Sequence, residues 1–342
     1  MTQSTPIHLV LGSGGARGLT HIGAVRVLQA HGYEIRSITG CSMGALVGAL
    51  YVSGHLDDYE EWVCQLTRWD VFRFLDIALL GRSGMVKGDR LMERLGEWLG
   101  GVEMQSLAVP LTVVAADIIA RKEVWISRGD LLQAVRASIA VPGVFTPLVT
   151  HGRVLVDGGI LNPLPIPPSG MDNSTLTVAV SLSGREVLHP YADTGEASGP
   201  ARPEPPAAPD EGGAGSAGAE QARHQPIEGF LDSLQRFFGR ERGHVEALER
   251  DAAQPQPPLE APDSAARARK DFSRPALTDV MLGMFNTMQD TIARHQLASN
   301  PPDILIDIPC NICQSHEFHR AAELIPAGEY WARRALEQQR DR

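Results

Sequence analysis

From residue 6 to residue 185 short apolar, β-branched runs alternate with helix-forming stretches. "IHLVL" precedes a helical stretch from Leu19 to Ala30, and "EIRSITG" precedes "MGALVGALYVSG". Further on come a helical Leu91–Leu99, the strands "LTVVAAD" and "EVWIS", a helical Asp130–Ser138, and the strands "RVLVDGG" and "LTVAVSL". Few folds accept such an order. It predicts an α/β domain with helices layered over a buried, mostly parallel sheet.

The alternation stops near residue 186. Residues 186–274 are rich in Pro, Gly, Ala and charge, as in "SGPARPEPPAAPDEGGAGSAGAEQAR". This composition buries too little apolar surface to offset chain entropy, so the stretch is expected to be a disordered insert. An amphipathic island at 226–240 interrupts it, with Ile227, Phe230, Leu231, Leu234, Phe237 and Phe238 on one helical face. Globular signals return over 275–340 as helix, strand "DILIDI" and helix, expected to complete the same domain.

Net charge and pI, −10 and about 5.6, argue against a nucleic-acid partner, since no overall basic field exists to attract phosphates. No run approaches the ~20 apolar residues of a membrane span. A cytoplasmic location is expected, with peripheral contact at the inner membrane face as its extension. The four cysteines suggest no disulfide framework.

"GCSMG" places Ser42 between Gly40 and Gly44, where a strand turns into a helix. A sharp bend there pushes the central side chain outward and crowds the backbone two positions away on each side, which glycine relieves. The following helix N-terminus favours negative charge near the hydroxyl. This is how a nucleophile is presented, although a glycine turn with an incidental serine has the same letters. The first strand ends in "LGSGGARG", where Gly12, Gly14, Gly15 and Gly18 leave amides free to meet an anion. A dinucleotide loop would need another glycine spacing and an acidic residue ending the second strand, and that strand ends in "TGCS". An oxyanion hole beside Ser42 fits better. Asp157, followed by Gly158 and Gly159 in "DGG", is the candidate base, with a self-bonded turn aspartate as the plain alternative.

Together, "GGARG", "GCSMG" and "DGG", with "HIGAVRVLQAHG", "AVRASIAVPGVFTPL" and "ILNPLP" between and after them, resemble the patatin-like phospholipase family. The likeness covers about 7–185 and, more weakly, 276–338. It implies a three-layer α/β/α patatin-like fold and a serine acyl-ester hydrolase of phospholipase A or lysophospholipase type. The implied machinery is a Ser42–Asp157 dyad without histidine, an oxyanion hole from the amides of Gly14, Gly15 and Ala16, and no cofactor or metal. Arg17 is expected to fix that loop or to face anionic substrate. Many members have glycine where this chain has Ser13, so its φ is expected to be negative or strained. Asp117 also matches the family, as a structural residue. Phospholipid or lysophospholipid is the implied substrate. The alternative from another class is a lipid-binding scaffold that keeps the fold with negligible turnover.

Three further patterns bear on the site and its surroundings. His189, His295, His316 and His319 follow Asp157, which is the order of an α/β-hydrolase triad, but none has a supporting turn motif. Cys310, Cys313, His316 and His319 are zinc-ligand types, yet spaced too closely for the usual finger, so a structural segment is expected, and the family resemblance implies Phe318 as a core residue of the last helix. Trp69–Leu91, with Phe72, Phe74, Leu75, Ile77, Leu79 and Leu80, reads as a wall or lid over an acyl groove, or as an ordinary packed helix. Loop length enters stability only logarithmically, so deleting about residues 190–270 is expected to leave a folded chain that cleaves a soluble short-chain ester. An insoluble deletion product would mean that the island is a docked part of the fold.

Overall fold

The computed structural model of the chain describes residues 4–74, 89–142, 144–166, 176–187 and 277–340. The amphipathic island, His189 and most of the Trp69–Leu91 wall lie outside the described residues. Eight strands, β1 (Thr5–Leu11), β2 (Tyr33–Cys41), β3 (Leu111–Asp117), β4 (Lys122–Ile126), β5 (Leu148–Thr150), β6 (Arg153–Asp157), β7 (Leu176–Gly184) and β8 (Ile304–Pro309), form one sheet. Its order is β5-β6-β3-β2-β1-β7-β8, and β4 also pairs with β3. The pairs β1–β2, β2–β3, β1–β7 and β7–β8 are parallel, while β4, β6 and β5 join antiparallel. The sheet is thus mixed and mostly parallel.

Helices α1 (Thr20–Ala30), α2 (Met43–Ser53), α3 (Leu56–Cys64), α4 (Arg68–Phe74), α5 (Asp89–Leu99), α6 (Leu131–Ser138), α7 (Leu277–Ser299) and α8 (Ala321–Arg340) accompany it. The strands are apolar on both faces, as a parallel sheet covered twice must be. Ile7, Leu9 and Leu11 of β1 join the large core with residues from α1, α2, α3, α5, α6 and α8. Val10, pointing the other way, packs with Ala179 and with Ala293 of α7. That alternation makes three layers. The patatin-like architecture expected from the sequence is the one observed. Local signals explain the helix ends: Asp130 caps α6 by accepting the Gln133 N–H at 2.8 Å, and Gly54 ends α2 in the left-handed conformation.

β8 lies against β7, so residues on both sides of 188–276 share one sheet. α8 crosses α1 with almost nothing between the backbones. A Cβ on Gly328 would lie 2.0 Å from the Thr20 carbonyl oxygen, and one on Gly23 would lie 2.1 Å from the Ile325 oxygen. The two glycines face each other's helices and let them meet. Phe318 is half-buried against the core, but in a 3₁₀ turn before α8 (Phe318–Arg320) and not in the helix itself. Helix α3 and the three-residue strand β5 carry no signal read in the sequence.

Gly328→Ala gains helix propensity of about 1 kcal/mol. It also drives a methyl group into backbone that cannot move alone, which typically costs ~1–3 kcal/mol or more. The clash is with main-chain atoms at 2.0 Å, so the cost lies at the upper end and the net expectation is destabilisation of about 2 kcal/mol or more, read as a lower midpoint in urea unfolding. An unchanged midpoint would mean the helices can separate freely.

Candidate active site

β3 brings the two halves of the site together through its register. Cys41, the last residue of β2, stands opposite Val114. Asp157, the last residue of β6, stands opposite the next residue, Ala115. β4 pairs along 113–117, so β2 and β6 share the other edge of β3 end to end. Ser42 follows β2 at that junction, and its Oγ donates to Asp157 Oδ2 at 2.5 Å.

The junction breaks the sheet ladder at the Val114 carbonyl. Ser138, at the end of α6, repairs it: its hydroxyl donates to Val114 O at 2.6 Å and accepts the Ser42 N–H at 2.8 Å. Ser42 itself is bent to φ 53°, ψ −121°, a strained conformation for a side-chain-bearing residue. The flanking glycines allow the bend. A Cβ on Gly40 would lie 2.5 Å from the Gly44 oxygen, and one on Gly44 would lie 2.1 Å from the Leu11 oxygen and 2.8 Å from that of Gly12.

Asp157 is fully buried. Its Oδ1 accepts the Gly159 N–H at 2.7 Å, with the Cys41 thiol a weak donor at 3.9 Å. Burial nevertheless dominates and raises its pKa to about 6, against the lowering effect of those bonds and of Ser42. A carboxylate left near 4 would be a poor base for a serine; the protein's interior makes this one stronger.

The loop from Gly12 to Gly18 is held from several sides. The Gly12 N–H donates to Val180 O at 3.1 Å and the Ser13 N–H to Pro163 O at 2.7 Å. Ser13 is absent from the few non-glycine residues with positive φ, so its substitution for glycine brings no left-handed strain. Arg17 is buried, donating from Nε to Gly14 O at 3.2 Å and from its guanidinium tip to Cys310 O at 3.2 Å. It therefore faces the loop rather than solvent. One expectation needs correcting. The Ala16 N–H, assigned to the oxyanion hole, donates to Ser315 O at 2.9 Å. Gly15 is left-handed at φ 58°, and the chain beyond it swings into a 3₁₀ turn against the 310–319 segment. The N–H groups of Gly14 and Gly15 have no partner among the described residues. Gly18 packs where a Cβ would lie 2.3 Å from Met43 Cβ, so the loop rests directly on the residue after Ser42.

The remaining candidates fall elsewhere. His295 and His316 are exposed, and His319 accepts from Arg68 Nε at 3.1 Å. Cys313 is buried in the main core, where burial pushes its thiol up to about 12. Asp117 closes the β3–β4 turn by accepting the Ile119 and Ala120 N–H groups, both at 3.0 Å. Gly158 lies against Val114, where a Cβ would come 2.3 Å from the carbonyl oxygen.

A profile of the patatin-like phospholipase family matches residues 9–168. An NTE family protein of Mycobacterium tuberculosis is 37% identical over 345 residues, covering 98% of this chain and 92% of that protein. The chain belongs to the NTE family of patatin-like phospholipases. Neuropathy target esterase of Drosophila persimilis is 35% identical over 166 residues, which is 46% of this chain and 11% of that protein. Among solved structures, VipD from Legionella pneumophila aligns with a TM-score of 0.42 at 13% identity, covering 98% of this chain and 67% of that one.

Two residues of this family member were not singled out from its sequence. Ser138 lies inside the quoted "AVRASIAVPGVFTPL", but nothing local says that its hydroxyl serves another strand. His21 is completely buried on α1 and hydrogen-bonded through Nε2 to Gly12 O at 2.8 Å. Burial drives its pKa down to about 4, so at neutral pH the imidazole is uncharged and its Nε2–H donates to that carbonyl. A histidine amid apolar helix positions was the available signal.

The Asp157 pKa sets a pH dependence. The carboxylate accepts a proton only when ionised, so Ser42 reactivity should rise with pH, with a midpoint near 6, and then level off. The folded protein binds this proton more tightly than the unfolded chain, so the stability due to protonated Asp157 is lost as pH rises through about 6. The rate of Ser42 labelling by a fluorophosphonate across pH reads the reactive limb. A midpoint near 4 would mean that burial does not control this carboxylate.

Proposed function

We propose that the chain is a serine acyl-ester hydrolase acting on phospholipid or lysophospholipid through an acyl-Ser42 intermediate. The observation that carries this reading is the 2.5 Å hydrogen bond from Ser42 Oγ to Asp157 Oδ2. Asp157 takes the hydroxyl proton as Oγ attacks the ester carbonyl. The resulting alkoxide meets the Gly14 and Gly15 amides, with the N-terminus of α2 behind Ser42 adding favourable potential. Collapse expels the alcohol, which leaves with the proton held by Asp157. Water, deprotonated by the same carboxylate, then releases the fatty acid and restores Ser42.

The family's name and those of its relatives support the lipid-ester substrate class. No helix of the described residues is long and apolar enough to cross a membrane. The proposed contact with lipid is peripheral. The proposed steps use groups of this chain and one water, and the proposed partner is the lipid itself.

Ser42→Ala and Asp157→Asn should each lower ester hydrolysis by at least ~10³-fold while the protein stays folded, since each removes a part of one unit. Intact-mass measurement after fluorophosphonate treatment should find the adduct on Ser42. A folded wild-type protein that neither hydrolyses esters nor forms this adduct would instead be a lipid-binding scaffold. A histidine variant as inactive as Ser42→Ala would replace the dyad by a triad.

A further inference from the structure

Gln289 is buried to 3% exposure in the middle of α7, more than a hundred residues beyond the last motif. A primary amide is seldom so buried without a purpose, because its donors and acceptor need partners. Its Nε2 donates to Ser13 Oγ at 2.9 Å. Ser13 immediately precedes Gly14, and its own main-chain N–H is held by Pro163 O. With the side chain held by Gln289 as well, Ser13 is fixed at both ends.

The same amide touches the acid's turn. A Cβ on Gly159 would lie 2.0 Å from Gln289 Nε2, 2.8 Å from Ser13 Oγ and 3.0 Å from Asp157 Oδ1. An amide, a hydroxyl and the carboxylate thus surround one point that glycine leaves empty. The second glycine of "DGG" is there because Gln289 occupies the space a side chain would need. Through this contact α7 spans from the glycine loop to the turn that carries Asp157.

We infer that Gln289 is a positioning residue: through Ser13 it sets the Gly14 and Gly15 amides relative to Asp157 and Ser42. This assignment rests on the hydrolase reading above. Among the described residues the hydrogen bonds of Asp157 go to Ser42, Gly159 and Cys41, and that of Gln289 goes to Ser13. Gln289 acts by holding the donors where charge develops. Small displacements from reactive geometry are costly, up to ~10²-fold per ångström, whereas binding of the acyl chain elsewhere is untouched.

The test uses the full-length protein with Gln289→Met, Ser13→Ala and the double variant. Methionine keeps about the length and volume of glutamine and removes the whole amide, donor and acceptor, while Ser13→Ala removes the hydroxyl that Nε2 reaches. The primary readout is the second-order rate of Ser42 phosphonylation by a fluorophosphonate, followed by intact mass, because the phosphonyl oxygen occupies the place of the alkoxide. The second is kcat and KM on a soluble short-chain ester, per labelled site. Each single variant should lower the phosphonylation rate and kcat by ~10–100-fold with KM changed less than about threefold, at a near-wild-type melting temperature. The double variant should be no worse than the poorer single one, since both break one link.

A folded Gln289→Met protein labelled within about twofold of wild type would overturn the assignment, and so would additive losses in the double variant. If Gln289→Met does not fold, Ser13→Ala tests the same link from its other end. Wild-type protein that is folded but unlabelled at Ser42 would overturn the hydrolase reading, and this assignment with it. Wild-type labelling that survives in the variants overturns this assignment alone.

Discussion

The first turn of α2 lies directly on the end of β1, with no side chain between them. Gly44 comes so close to the Leu11 and Gly12 carbonyls that any larger residue would force the two elements apart. Everything at the site follows from that approach. It holds Ser42 in its strained turn, and it puts the glycine loop, which continues β1, beside the serine that continues β2. Gly18 against Met43 and the His21 bond to Gly12 O keep the loop there. Strain of roughly 1–3 kcal/mol at one residue persists only where neighbours over-determine its position. Here they do so through main-chain atoms on nearly every side.

The acid is delivered by a different device. β2 and β6 meet end to end along one edge of β3, an arrangement that leaves the Val114 carbonyl at a seam. Ser138 fills the seam and holds the Ser42 amide at the same time. A repair to the sheet thereby becomes a support for the nucleophile. Asp157 ends β6 with its carboxylate fully buried, which strengthens it as a base and destabilises its charged form. The two effects have one cause and cannot be tuned separately.

The sequence carried much of this in its local patterns. The strand–helix alternation foretold the layers, and the glycine spacings foretold the turns, because each depends on residues adjacent in the chain. Ser42 and Asp157 were legible for the same reason. What stayed hidden depends on distant main-chain groups. The carbonyls of Cys310 and Ser315 grip Arg17 and Ala16, and a carbonyl leaves no trace in the choice of amino acid. That grip is why Ala16, a donor by motif, is already engaged. It also gives the "CNICQSHEFH" segment a role in which its cysteines and histidines need not act as ligands. Antiparallel β5 leaves no pattern because three residues are too few to show a period, and α3 leaves a weak one because its three buried residues, Leu56, Tyr59 and Val63, are set among acidic neighbours.

The braces on the glycine loop come late in the chain. Ribosomes add roughly 5–20 residues per second, so the stretch from Gly184 to Arg340 takes on the order of ten seconds to make. During that interval the nascent polypeptide has already emitted its serine, its aspartate and its glycine loop. It still lacks β8, leaving β7 as an open edge, and it lacks the carbonyls that hold Ala16 and Arg17. Synthesis thus runs in the order of parts first and fastenings last. The glycine loop gains these fastenings only after residues 310–315 have been made and have folded back onto it.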